Sequence, residues 1–271
     1  MKHVRALAAE PPLLAQYRAT YPNEENRSAS EATATWEGFK TDQPAYAELL
    51  TLLAGAQQGL CIYCEQRLVD SAGKLASNDY QVEHVQAKSG AIGRVLCWRN
   101  LALACGGGTY KHHPDATRVY TTALNTSCGQ TKGDDDLPQG CDPRTFPMLH
   151  ALVEVGIDGR LSVNTQHCAM AGLAQKNVED ALNLLNLDCE RLRKARQDIG
   201  DNVRSWFMFM LEELLSPQLT AAQQENVVEL LVARRLQPDN QGSLARFWSA
   251  ERSAIGAHAE SWLAANQGQV T

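Results

Sequence analysis

The spacing of apolar residues changes twice along this chain. From Pro44, the positions Tyr46, Leu49, Leu50 and Leu53 recur at helical intervals and stop near Gly59, which predicts a helix running straight into Cys61. Before it, Pro11, Pro12 and Pro22 and the polar stretch 23–35 predict an irregular arm. Between residues 59 and 143 the pattern breaks into short apolar runs, such as Leu101 to Ala104, set among Gly, Cys, His and Asn. That segment predicts a module with little core of its own. Beyond Pro147, Leu152-Val153-Glu154-Val155 and Leu161-Ser162-Val163 flank an Asp158-Gly159 turn and predict a short hairpin.

Helical periodicity then takes over. It covers residues 177–187, and residues 189–215 with Leu192, Ala195, Ile199, Val203, Trp206, Met210 and Leu214 on one face. Ser216-Pro217 predicts a stop, and Thr220 with Gln223 predicts a capping box for a helix through Leu236. Residues 238–242 predict a break before a last helix bearing Phe247, Ile255 and Trp262. The expected class is α+β, mainly α, in three segments: an arm and helix (1–57), a cysteine-rich module (58–146), and a hairpin followed by helices (147–271).

Charge limits the partners. With 25 Lys+Arg against 31 Asp+Glu the net charge is -6, which argues against a polybasic nucleic-acid binder. Within residues 59–141 basic and acidic side chains balance, so the module alone is expected to hold a polyanion weakly, with a partner supplying much of the grip. No apolar run reaches membrane-spanning length and no signal-peptide core follows Met1-Lys2-His3-Val4-Arg5, so a cytoplasmic location is expected.

In a reducing compartment the eight cysteines point to metal binding or burial rather than disulfides. Cys61 and Cys64 form a CxxC, and Cys105 and Cys128 follow; a tetrahedral four-thiolate zinc site would pin the ends of the module and supply folding energy. Cys97, Cys141, Cys168 and Cys189 are scattered and read as small buried hydrophobes. A redox CxxC would belong after a strand in a βαβ unit, which the pattern lacks. Between the cysteines lie Glu83-His84 and Asn100. A neutral imidazole is a suitable general base near pH 7, and a carboxylate suits a hard cation. On a strand, however, adjacent side chains point to opposite faces, so a twist or bulge would be needed to bring both to one phosphate.

The combination resembles the HNH endonucleases, and more closely the HNH nucleases of retron and Septu anti-phage systems, the PtuB family. The resemblance covers most of the chain. It rests on Gln57-Gln58-Gly59-Leu60-Cys61-Ile62-Tyr63-Cys64-Glu65, Glu83-His84, Trp98-Arg99-Asn100-Leu101, Cys128-Gly129 followed by Lys132-Gly133-Asp134, and Leu185-Asn186-Leu187-Asp188-Cys189-Glu190-Arg191-Leu192-Arg193. Tyr17-Arg18 and Trp36-Glu37-Gly38-Phe39 add to it. It implies a small zinc-stabilised ββα-metal module embedded in a helical scaffold. It also implies Cys61, Cys64, Cys105 and Cys128 as zinc ligands, His84 as the base that activates water, and Glu83 as a ligand of catalytic Mg2+ or Mn2+. Asn100 would orient the His-bearing loop through backbone hydrogen bonds.

Two departures stand out. Many HNH proteins place His or Asn directly after the last cysteine, whereas this chain has Gly129; Gln130, Lys132 and Asp134 are the candidates for the third position. A protonated Lys132 suits a phosphate rather than a cation. The excursion from residue 106 to 127 is long and carries His112 and His113, which either replace a thiolate, touch substrate, or are plain loop residues. His150, His167 and His258 carry no assigned role, and the run Asp134-Asp135-Asp136 reads as solvent-facing.

The expectation is therefore a metal-dependent HNH endonuclease subunit acting on DNA, or on RNA including transfer RNA. The resemblance implies control by a PtuA-like ATPase docked on the carboxyl-terminal helices, and, in a retron setting, a reverse transcriptase with its RNA and DNA as further partners. The competing expectation is a catalytically silent zinc-binding adaptor in the same kind of complex, which the absence of a side-chain ligand at Gly129 keeps open.

Overall fold

The structure is a computed structural model and describes residues 1–23, 28–76, 78–115, 118–215 and 218–266. The amino-terminal segment departs from the irregular arm its prolines predict. Pro12 opens α1 (Pro12–Thr20) at the first helical position, where a missing N–H is no loss. Two further helices follow, α2 (Ala32–Thr41) and α3 (Gln43–Ala56), and the Asp42 carboxylate caps α3 by accepting from the Ala45 N–H at 3.2 Å. Tyr17, Trp36 and Phe39 are buried and meet ring to ring, which is what holds these short helices together.

The middle segment contains a two-stranded antiparallel sheet. β1 (Tyr80–His84) pairs with β2 (Leu101–Cys105) in unbroken register, from Tyr80 opposite Cys105 to His84 opposite Leu101. Every residue of β2 is buried and α3 packs against it, so the module has more core than its short apolar runs suggest. One helical turn, α4 (Gly129–Lys132), completes the group.

The hairpin around Asp158-Gly159 is present as β3 (Val153–Val155) and β4 (Leu161–Val163). The helices that follow are α5 (Thr165–Met170), which the sequence pattern did not indicate, α6 (Gln175–Leu184), α7 (Glu190–Leu214), α8 (Ala221–Leu236), α9 (Trp248–Ile255) and α10 (Ala257–Ala265). The Thr220/Gln223 capping box forms as expected. The stop expected at Ser216-Pro217 lies outside the described residues. The single last helix expected from its apolar residues is two, broken where Gly256 takes φ 67°, a conformation that L side chains rarely adopt.

On α7 the buried face carries Leu192, Ala195, Val203 and Phe207, while Leu214, Met208 and Phe209 are exposed. The stripe is therefore one position off the expected one at its carboxyl-terminal end, where Phe207 goes inside in place of Trp206. One hydrophobic cluster runs from Val4 through the thiol residues to Leu192, and a second joins α7, α8, α9 and α10. The architecture is thus mainly helical, with two small sheets. No helix among the described residues is long and apolar enough to cross a membrane.

Leu192 is fully buried and Leu230 on α8 is 71% exposed. Leu192→Ala is expected to lower unfolding stability in urea by about 2–5 kcal/mol, and Leu230→Ala to shift it by less than about 0.5 kcal/mol. Equal effects would contradict this placement of α7 and α8.

Candidate metal centre and the Glu83–His84 hairpin

Four sulfurs converge from three separated stretches of chain. Cys61 and Cys64 sit in the turn after α3, Cys105 ends β2, and Cys128 immediately precedes α4. Cys61 Sγ lies 3.9 Å from Cys128 Sγ, Cys64 Sγ 3.6 Å from Cys105 Sγ, and Cys105 Sγ 3.7 Å from Cys128 Sγ. All four lie within 4.8 Å of one another and all are buried. A tetrahedron with metal–sulfur bonds of about 2.3 Å has edges of about 3.8 Å, so the spacing suits a metal such as zinc. The Cys105 N–H donates to Cys61 Sγ at 3.2 Å.

Thiol chemistry points the same way. The hydrogen bond to Cys105 pushes the Cys64 thiol well up, and burial does the same to Cys128. Bonds from Cys128, Cys61 and Cys64 hold Cys105 well below the usual thiol range. Without a cation the cluster therefore resists the charge of four thiolates, and a bound cation is what would stabilise them.

The surrounding polar residues hold the four ligands in place. Gln57, at the end of α3, donates from Nε2 to the carbonyls of Leu60 and Leu103, both at 2.8 Å, and accepts from the Leu103 N–H at 2.6 Å. It thereby staples the CxxC turn to β2. Glu65 turns the chain at φ 65° and accepts from the Ser249 N–H and hydroxyl, both at 2.7 Å.

The run from Leu185 to Arg193 secures the fourth cysteine. The Cys128 N–H donates to the Leu185 carbonyl at 2.8 Å, Asn186 donates to the carbonyls of Leu124 and Thr126, and Arg191 donates to the Ser127 hydroxyl at 2.8 Å. The sequence flagged this run without giving its task. Its task is to anchor the Cys128 loop from a helix start some sixty residues further on. Cys141, Cys168 and Cys189 are buried thiols as expected, while Cys97 is only half-buried.

Beside the cluster, β1 presents Glu83 and His84 in opposite directions. The ladder carries no bulge here, so the convergence on one phosphate that a bulge would allow does not occur. Glu83 is 5% exposed. Its Oε1 accepts from the Tyr63 hydroxyl and lies 3.1 Å from Lys132 Nζ, and Gln81 donates to its Oε2 at 3.3 Å. Burial, reinforced by the Glu83 charge, pushes the Tyr63 phenol well up, which keeps it a donor.

His84 lies against the edge of Trp36 with ring centroids 4.8 Å apart. Its Nε2 meets the Val95 carbonyl at 2.9 Å, so the neutral ring carries its proton there and its lone pair on Nδ1. Burial lowers its pKa from 6.5 to about 4. Asn100 clamps the same loop, donating to the carbonyls of Gln86 and Arg94 and accepting from the Gln86 N–H at 2.8 Å.

Lys132 does not face outward to a phosphate. It is 2% exposed, and besides Glu83 its ammonium reaches the carbonyls of His84, Gly133 and Asp135 at 3.1–3.2 Å. Of the other candidates for the third position, Gln130 donates to Gln81 at 2.6 Å and Asp134 is exposed. The acidic run is more than a solvated face, since Asp136 accepts from the Ala87 N–H at 2.6 Å and pairs with Arg94, pinning the loop over His84. His113 lies 3.8 Å from Asp79, and neither it nor His112 replaces a thiolate.

The two metals implied by the resemblance fare differently. The four thiols fit a tetrahedral ion. A hard divalent cation needs several oxygen ligands, but a lysine ammonium already occupies Glu83 Oε1, and Gly129 brings no donor. A Cβ at position 129 would lie 2.2 Å from Glu83 Oε2, so the glycine is what lets the carboxylate fold onto α4. Among the described residues the thiols are the one group of three or more candidate ligands that gathers. The Glu83 surroundings therefore do not form a Mg2+ or Mn2+ site. No protein-family model matches the chain, and no curated protein matches it.

Removing one member of the buried Glu83–Lys132 pair leaves the other uncompensated. Lys132→Met is expected to cost about 3–5 kcal/mol in urea unfolding, and adding Glu83→Gln to restore much of it. Additive losses in the double variant would contradict the pairing.

Proposed function

We propose that the chain is the HNH-type endonuclease subunit of an anti-phage complex of the retron or Septu kind, built on a structural zinc centre. The observation that carries this reading is the state of His84. A backbone carbonyl fixes its tautomer, burial keeps it neutral at pH 7, and no hydrogen bond among the described residues reaches its Nδ1. That is the condition a general base needs before it takes a proton from water. Asn100 holds the loop that supplies Val95, in the role the resemblance assigns to it.

Zinc on Cys61, Cys64, Cys105 and Cys128 fixes one end of the β1–β2 hairpin and the start of α4, and so sets where His84 stands. Glu83 positions α4 through Lys132. The donors around Glu83 do not suit a divalent cation, so its carboxylate braces α4 rather than serving as a metal ligand. His84 is 9% exposed, so cleavage requires the loop held by Asp136 and Asn100 to lift. Docking of a PtuA-like ATPase is the proposed trigger, and the exposed Met208 and Phe209 of α7 are where a partner surface is available. DNA is the proposed substrate, with transfer RNA the variant.

A second reading, a silent zinc-binding adaptor in such a complex, is favoured by the Glu83–Lys132 ion pair and by Gly129. One substitution separates the two. With the ATPase partner present, His84→Ala is expected to lower cleavage by about 10²–10⁴-fold while metal content and partner binding are unchanged. Cleavage that is absent in the parent, or unaffected by the substitution, would favour the adaptor.

The pH profile provides an independent check. In the free, loop-closed chain the basic form of His84 prevails above its lowered pKa of about 4, so kcat/KM, which reports the free enzyme, is expected to hold from pH 7 toward 5 and to fall only as the ring protonates below that. An acid limb centred near 6.5 would contradict a buried base.

A further inference from the structure

A second concave site lies apart from the thiols and from β1. It is a cleft of about 580 Å³ between α3, the turn at residues 69–75 and the turn at residues 241–243. Leu50, Ala54, Val69 and Leu75 give it an apolar wall, and the hydroxyl-bearing Thr51 and Ser243 also line it. Its charged lining residues are Arg5 and Lys74, and no carboxylate lines it among the described residues. In a chain where acids outnumber bases overall, a pocket with two cations and no acid is a local inversion of charge.

Neither cation has a partner among the described residues. Among the described residues the side chains of Arg5 and Lys74 make no ion pair and no hydrogen bond, and Arg5 Nε is sealed from solvent with no acceptor. A half-buried guanidinium with its Nε in that state is costly, and the same residue lines the cleft, where a ligand can bring it an acceptor. Nothing stands within 4 Å of the Cβ positions of Gly55 and Gly242, so a ligand can approach the backbone there. The volume falls in the range of small-molecule sites. A nucleic-acid backbone would instead call for a row of cations along an open groove.

We infer that this cleft binds a small phosphorylated molecule of mononucleotide size, with the phosphate on Arg5 and Lys74 and the apolar body on Leu50, Ala54, Val69 and Leu75. Charge-assisted hydrogen bonds to the phosphate supply direction, and the wall supplies area. Val69 follows the CxxC turn closely in sequence, so the ligand sits next to the stretch that carries two of the thiols. The inference does not depend on the nuclease reading.

The test uses the full-length, metal-loaded chain and calorimetric titration with AMP and UMP, with adenosine, uridine and inorganic phosphate as the two halves. One-to-one saturable binding of a nucleotide, tighter than either half and weakening with salt, is expected. Arg5→Gln is expected to weaken it by about tenfold or more. Lys74→Gln changes an exposed residue and keeps the test decisive if Arg5→Gln fails to fold; it is expected to weaken binding and flatten the salt dependence. Thr51→Trp, on the exposed side of α3, is expected to abolish binding by filling the cleft while the circular dichroism and metal content stay unchanged. No saturation by either nucleotide, binding by a half as tight as by the whole, or parental affinity in Lys74→Gln and Thr51→Trp would overturn the inference.

Discussion

Four sulfur atoms drawn from a helix exit, a strand end and a loop more than twenty residues further on must meet within a few ångströms, and much of the molecule is arranged around that meeting. Gln57 ties the first pair to β2, the β1–β2 ladder fixes the third, and the start of α7 holds the loop that delivers the fourth. Burial makes the cluster costly to charge without a cation, so a metal bound there would couple its loading to the closing of the module. The helices around it are more than a passive shell. Glu65, adjacent to Cys64, accepts from the backbone at the start of α9, linking the CxxC turn to the carboxyl-terminal helices.

The same closeness determines the electrostatics of the hairpin. Glu83 and Lys132 are both withdrawn from water, and each is tolerable because of the other. Glycine at position 129 leaves room for that pairing, since a side chain there would crowd the carboxylate at Oε2. A lysine in contact with the carboxylate and an imidazole tied to a carbonyl describe a closed centre. His84 and Glu83 serve different faces of one strand, one keeping a basic nitrogen available and the other bracing α4.

What could be read from the sequence follows what each signal depends on. The CxxC and the two later cysteines were legible because a cluster able to hold a metal imposes spacing and chemistry that few other demands reproduce. The Asp158-Gly159 hairpin and the Thr220/Gln223 capping box were legible because they are set by local backbone geometry. The amino-terminal helices were missed because Pro12 reads as a breaker until its place at a helix start is known. The phosphate contact expected of Lys132 fails because its buried acceptors, the carbonyls of His84, Gly133 and Asp135, are brought together only by the tertiary fold. Asp136 was missed for the same reason, its partner Ala87 lying far away along the chain.

X-ray absorption at the zinc edge, combined with metal counting on chain purified without chelator, tests the central claim most directly. The account predicts one zinc per chain, bound by four sulfurs at about 2.3 Å, with no nitrogen or oxygen neighbour in the shell. A chain that folds without tightly held metal, or a zinc shell containing histidine or water in place of a thiolate, would contradict it.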